Sequence, residues 1–148
     1  MQALDFPKYG FRFKSSENKI WIFDIIRKKF VVLQPEEWVR QHVVHFLIED
    51  KKYPPSHINV EKQLTVNGLK KRYDVVVFNS DGSIKVLVEC KSPQTTILQA
   101  TFDQIARYNM QMNAEYLMVS NGLQHFYCQM DLENQKYTFL EHIPDFSR

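Results

Sequence analysis

Asp74, Glu89 and Lys91 are two carboxylates and an amine at the ends of two consecutive apolar segments, residues 72–78 and 84–91. The connection between the segments, residues 79–83, contains Asp81-Gly82, a strong signal for chain reversal because Gly accepts the positive φ of tight hairpin turns. Two carboxylates gathered at strand ends can hold a divalent cation. A neighbouring lysine can orient or deprotonate a water, or offset charge that builds on phosphate. Hard oxygen ligands at this density suit Mg²⁺ or Mn²⁺, which keep several waters and take few carboxylates. The backbone carbonyl of Cys90 is a further candidate oxygen. The chemistry such a set suits is metal-assisted hydrolysis of a phosphodiester.

The elements that must position these groups follow from local pattern. Residues 75–78 are β-branched and aromatic, and residues 85–91 are apolar with spaced charges, so both read as strands. Antiparallel pairing brings Asp74 to the end of the second strand where Glu89 and Lys91 lie. Side chains alternate along a strand, so Glu89 and Lys91 share a face and Val88 and Cys90 point to the other. Charges this late in an apolar strand are costly unless paired or bound to an ion. A cross-strand salt bridge at a sheet edge is the competing account, since such a spacing also arises by chance.

The arrangement resembles the PD-(D/E)xK nuclease superfamily, in which an Asp and a Glu-x-Lys lie on adjacent strands of a small mixed sheet. Phe102-Asp-Gln-Ile-Ala-Arg-Tyr108 contains a Gln-x-x-x-Tyr spacing similar to that of RecB-type nucleases. Over residues 20–122 the chain is most similar to the N-terminal nuclease domain of type I restriction enzyme R subunits. The landmarks are Tyr53-Pro54, Glu61, Arg72-Tyr-Asp74, Val88-Glu-Cys-Lys91 and Val119-Ser-Asn-Gly122. Tyr73 stands before Asp74 where the motif's name has Pro, a departure that removes no ligand. The resemblance implies an α/β restriction-endonuclease-like core, a small mixed sheet flanked by helices. It further implies DNA as substrate, Mg²⁺ or Mn²⁺ as cofactor, and Asp74, Glu89, Lys91, Gln104 and Tyr108 as catalytic residues. R subunits carry an ATP-driven motor after this domain, and residues 1–148 hold neither a motor nor a phosphate-binding glycine loop. The expectation is a nuclease domain without translocation, with a protein partner for targeting.

Further along the chain, short strands are expected at residues 11–14, 20–24 and 30–33, forming an N-terminal meander (residues 1–33). Pro35, Glu36 and Glu37 suit a helix start and its dipole, and apolar residues recur at helical spacing to about residue 50. Strands follow at residues 57–66, 71–78 and 85–91, a helix at 96–112, and strands at 116–120, 125–130 and 137–140. The order gives one domain, with a core at residues 34–130 and a C-terminal strand and tail at 131–148. Glu37 could turn toward the metal as an extra ligand, or serve only the first turn of its helix. Gln104 and Tyr108 share a helix face, either steadying the lysine or a phosphate, or packing on the sheet. Glu61 reads as a second acid near the site or, more simply, as an exposed strand residue.

Composition sets broader bounds. The net charge of +2 is small, but residues 1–74 hold 14 Lys/Arg against 9 Asp/Glu, while residues 75–148 hold 5 against 8. Lys70, Lys71 and Arg72 directly precede Asp74 and are the candidate nucleic-acid contacts, through salt-sensitive phosphate neutralisation. Two cysteines are too few for a disulfide scaffold. With no signal peptide and no membrane-length apolar run, a cytoplasmic, membrane-free protein is expected. His42 and His45 are three apart on a helix, without the partners a zinc set needs. Cutting both strands of a duplex would favour a homodimer. Two other classes remain open. One is a non-catalytic or partner-dependent nucleic-acid-binding module, against which the complete Asp–Glu–Lys set argues. The other is self-association through Trp21, Phe23 and Tyr127.

Overall fold

Three short strands come first in the computed structural model, which describes residues 1–147. They are β1 (Phe13–Ser16), β2 (Lys19–Asp24) and β3 (Lys29–Val32), paired antiparallel as a meander. β1 lies two residues later than its expected span. Glu17 and Asn18 both adopt positive φ, 55° and 60°, making the two-residue turn that carries pairing out to Ser16↔Lys19.

The remaining strands form one six-stranded sheet in sequence order. They are β4 (Ile58–Val66), β5 (Leu69–Phe78), β6 (Ile84–Cys90), β7 (Tyr116–Ser120), β8 (His125–Asp131) and β9 (Lys136–Leu140). All neighbours are antiparallel except β6 and β7, whose parallel pairing needs a crossover. Helix α2 (Gln99–Asn109) supplies it. The β4–β5 hairpin turns on Asn67 and Gly68, both at positive φ. β9 pairs with β8, so the C-terminal strand completes the core sheet. This is the expected mixed sheet flanked by helices, with the added meander.

Helix α1 (Pro35–His45) covers one face of the sheet and α2 the other. Val39, Val43, Val44 and Leu47 pack against Val75, Val77, Val86 and Val88. On the opposite face Phe102 and Ala106 pack against Tyr73, Val76, Leu87 and Leu117. Burial of this much apolar surface on both faces is the main stabilising term. The periodicity to residue 50 resolves into α1 and a wider helical turn over Phe46–Asp50. α2 starts at Gln99, not near residue 96, because Leu98 has extended backbone (φ -89°, ψ 157°) and serves as its N-cap. Among the described residues, no helix is long and apolar enough to cross a membrane.

Candidate active site

The sheet is irregular where Asp74 sits. Pairs between β4 and β5 run from Ile58↔Val77 to Val60↔Val75, then resume at Lys62↔Tyr73. The skipped residue of β4, Glu61, has φ +57°, a conformation that a non-glycine residue adopts only where its surroundings fix it. Beyond the break the faces are out of step, since Tyr73 packs on the α2 side and Val75 on the α1 side. Asp74 lies at that break. One of its oxygens accepts the Cys90 backbone N–H at 2.7 Å. The other is 3.9 Å from Arg40 Nη1. Burial pushes the Asp74 carboxyl up to about 6, outweighing the Cys90 N–H and Arg40, and the nearby Glu36 and Glu89 carboxylates push the same way.

Arg40 is the centre of this side of the site. Its Nη1 is hydrogen-bonded to Glu61, and its Nε lies 3.4 Å from Glu37 Oε2 without hydrogen-bond geometry. Arg27 Nη2 reaches Glu37 at 3.3 Å, and Arg27 Nε pairs with Asp24 at 2.8 Å. Gln41 Nε2 donates to Asp24 (3.1 Å) and to Glu37 (3.0 Å). Contacts thus run unbroken from Asp24 in the meander to Asp74. Glu37 is buried in this chain of ion pairs. Glu61 is half-buried and paired, not the exposed strand residue its position suggested.

Glu89 faces the other way. Val88 and Cys90 join the α1-side core and Leu87 the α2-side core, so alternation along β6 sends Glu89 toward α2. It accepts 2.6 Å from Lys71 Nζ and 2.9 Å from Asn109 Nδ2. Asn109 is in turn hydrogen-bonded by the Tyr73 hydroxyl. Lys71 Nζ also stands over the rings of Tyr108 (4.8 Å) and Tyr73 (5.1 Å). Lys71, Gln104, Ile105 and Tyr108 line an open pocket of about 360 Å³. The Gln104–Tyr108 pair of α2 therefore lies beside the ammonium held by Glu89.

Lys91 follows immediately after β6. Its backbone N–H donates to Ser120 O at 2.8 Å, and its ammonium forms no ion pair among the described residues. The lysine on Glu89 is Lys71. Of the three basic residues expected to meet nucleic acid, Lys70 and Arg72 are exposed and Lys71 is half-buried. Arg72 Nη1 also lies 3.6 Å from Glu61. Sequence reading did not single out Arg40 or Asn109. The available signal was the run Glu37-Trp-Val-Arg-Gln-His42, in which polar residues sit among apolar ones on a helix that is buried on almost every side.

Among the described residues, no three His, Cys, Asp or Glu side chains gather as a ready metal cluster. Asp74 and Glu89 are nonetheless hard oxygen donors on adjacent strands, each the residue just beyond the last β5–β6 pair, Val75↔Val88. Asp74 is also a desolvated carboxylate, its pKa raised by burial in spite of the Cys90 N–H and Arg40. As hard oxygen donors the two carboxylates suit a divalent cation completed by carbonyl and water oxygens, and sharing one ion requires Glu89 to turn from Lys71 and Asn109 toward Asp74.

The family described as the type I restriction enzyme R protein N terminus matches residues 35–144. No curated protein matches the chain. Among solved structures, a fragment of a candidate HsdR subunit of a type I restriction enzyme from Vibrio vulnificus is similar, at 19% identity and a TM-score of 0.52. The match covers 76% of this chain and 24% of that one. A candidate nuclease from Anabaena variabilis aligns at 13% identity and a TM-score of 0.45, over 86% of this chain and 75% of that one.

Proposed function

Starting from the fact that the chain belongs to the family of type I restriction enzyme R protein N termini, we propose that it is a nuclease that hydrolyses DNA phosphodiester bonds with a divalent metal ion, Mg²⁺ or Mn²⁺. The observation that carries the reading is the register of β5 and β6. It brings Asp74 and Glu89, the carboxylates of these two strands, to the same end of the sheet.

In this reading Asp74, Glu89 and the Cys90 carbonyl would hold the ion, which when bound would polarise the scissile phosphate and favour ionisation of water. Lys91 would orient the attacking water in line with phosphorus. The new P–O bond forms as the bond to the leaving sugar oxygen breaks, and the water's proton passes to solvent or to that oxygen. The Cys90 N–H and Arg40 fix the orientation of Asp74. Asn109 and Lys71 fix that of Glu89, while Gln104 and Tyr108 border Lys71 on the side from which a phosphate would approach. Metal binding must compete with Lys71 for Glu89, so substrate phosphate drawing the Lys71 ammonium away would assist it.

The test is cleavage of supercoiled plasmid and of a single-stranded oligonucleotide with Mg²⁺ or Mn²⁺, beside EDTA, a Lys91→Ala variant and an Asp74→Asn variant. Metal-dependent cleavage is expected, with a loss of about 100-fold or more in either variant. Cleavage that survives both substitutions would sink this assignment of the site. No cleavage under any condition would favour a nucleic-acid-binding module or a nuclease silent without its partner.

A further inference from the structure

The meander has one face that neither core uses. Cross-strand pairing puts Lys14 beside Trp21 and Phe23 beside Phe30, and the Phe23 N–H bond to Arg12 O (2.9 Å) sets Arg12 next to Phe23. These five side chains share the outer face of β1–β3. The inner face carries Ile22 and Asp24, both fully buried. None of Trp21, Phe23 and Phe30 belongs to either apolar core. Instead the three rings meet cations. The Arg12 guanidinium lies 4.5 Å from the Phe23 centroid, and Lys14 Nζ lies 4.8 Å from that of Phe30 and 5.6 Å from that of Trp21. Lys19 adds another charge on the same face, beside Ser16. No acidic residue is among the cross-strand partners on this face.

Charge agrees with geometry. Residues 11–32 contain six Lys/Arg and two Asp/Glu, and one of the two acids, Asp24, is buried on the inner face and paired with Arg27. The meander thus carries a net charge of +4, more than the +2 of the whole chain. A sheet face that offers aromatic rings and a guanidinium plane, rimmed by amines and with no carboxylate among its cross-strand pairs, matches a polyanion whose flat bases are available for stacking. Duplex DNA hides its base faces, whereas a single strand presents them.

We propose that the outer face of β1–β3 binds single-stranded nucleic acid, stacking unpaired bases on Trp21, Phe23 and Phe30 while Arg12, Lys14 and Lys19 neutralise the phosphates. The surface deepens the nuclease reading by naming the form of its substrate, and it is measurable without cleavage. Its place in the fold gives it a use. The inner face of the same strand β2 starts the ion-pair chain Asp24–Arg27–Glu37–Arg40–Asp74, so a strand held on the outer face lies on the element that adjoins the candidate active site.

Binding of a fluorescently labelled oligo(dT) to the full chain, followed by anisotropy in EDTA, tests the proposal. Trp21→Ala and Phe23→Ala should each weaken binding by roughly 5-fold to 100-fold, the range for loss of one base–aromatic stack. Trp21→Phe keeps a ring and should restore most of the affinity, which separates stacking from damage to the fold. The pair Arg12→Gln and Lys14→Gln should flatten the salt dependence. Lys136→Gln, which removes an exposed charge from β9, should bind as wild type does, and because binding is read in EDTA without cleavage, failure of the cleavage test and failure of this one remain distinct. Wild-type affinity in Trp21→Ala and Phe23→Ala, or equal affinity for a duplex of the same length that is lost in the same variants, would overturn it.

Discussion

At the scale of single residues, the energetics of Asp74 decide most. Its carboxyl rises from an ordinary 3.8 to about 6 because burial disfavours its charge more than the Cys90 N–H and Arg40 favour it. A raised folded pKa means that folding is opposed by the charged form. Below about pH 4 both states are protonated and the group is neutral in its effect. Between about pH 4 and 6 the unfolded chain loses this proton while the folded protein keeps it, so stability falls by up to about 3 kcal/mol and levels off above pH 6. Asp74→Asn should therefore raise stability at pH 8 by about 1–3 kcal/mol in urea denaturation, with the gain gone by pH 4. Arg40 keeps Glu37 and Glu61 in that variant. A loss of stability at pH 8 would show instead that the Arg40 contact outweighs desolvation. The same acid gives a metal test that needs no substrate. Mg²⁺ should raise the Tm of the wild type at pH 8, less so below pH 6 where protons compete, and not at all in Asp74→Asn. A variant whose Tm responds as the wild type's does would remove Asp74 from the proposed metal site.

At the scale of elements, the connections are fixed by a few backbone positions that can be told apart by substitution. Gly68 and Gly122 both have positive φ, +79° and +88°. A Cβ at Gly68 would meet nothing within 4 Å, whereas at Gly122 it would come 2.8 Å from Leu4 Cδ2 and 3.1 Å from Val39 Cγ2. Gly68→Ala should cost about 1 kcal/mol, the backbone term alone. Gly122→Ala should cost roughly 2–3 kcal/mol, since Leu4 can turn aside but Val39 is packed in α1. Equal shifts of the two melting curves would mean that the N-terminal segment gives way freely. Gly122 also holds that segment by backbone, its carbonyl accepting the Asp5 N–H at 2.8 Å. The turn after β7 thus joins the N terminus, α1 and the core sheet.

At the scale of the whole molecule, the placement of charge and the number of sites set what the chain can do to a duplex. One chain carries one Asp74–Glu89 pair, which in the proposed reading would cut one strand at a time. Supercoiled plasmid should therefore be nicked first, with linear product appearing later. A yield of linear product that rises with the square of protein concentration, without a nicked intermediate, would show that two copies act together. Positive charge is concentrated in the meander and in Lys70-Lys-Arg72, so cleavage should slow steeply as salt is raised. Salt-independent rates would remove phosphate neutralisation as the basis of substrate binding.

Much of the fold was readable because local pattern and fold agree. β-Branched runs marked β5, β6 and β7, Asn67-Gly68 and Asp81-Gly82 marked reversals, and Pro35 with Glu36 and Glu37 marked the start of α1. The nearness of Asp74 and Glu89 followed from hairpin register, which is also local. Which cation faces which acid was not readable. Period-two reasoning put Lys91 with Glu89, but β6 ends at Cys90, and the ammonium that reaches Glu89 comes from Lys71 on the neighbouring strand. The turning of Asp74 toward Arg40 depends on a break opposite Glu61, a backbone state to which a glutamate gives no clue. Sequence alone determined the elements and the inventory of acids and amines, because short-range sterics and hydrophobic alternation act within a few residues. Only the tertiary structure decided the pairing of charges, because burial removes water as the competing partner and leaves each acid to the cation that packing brings nearest.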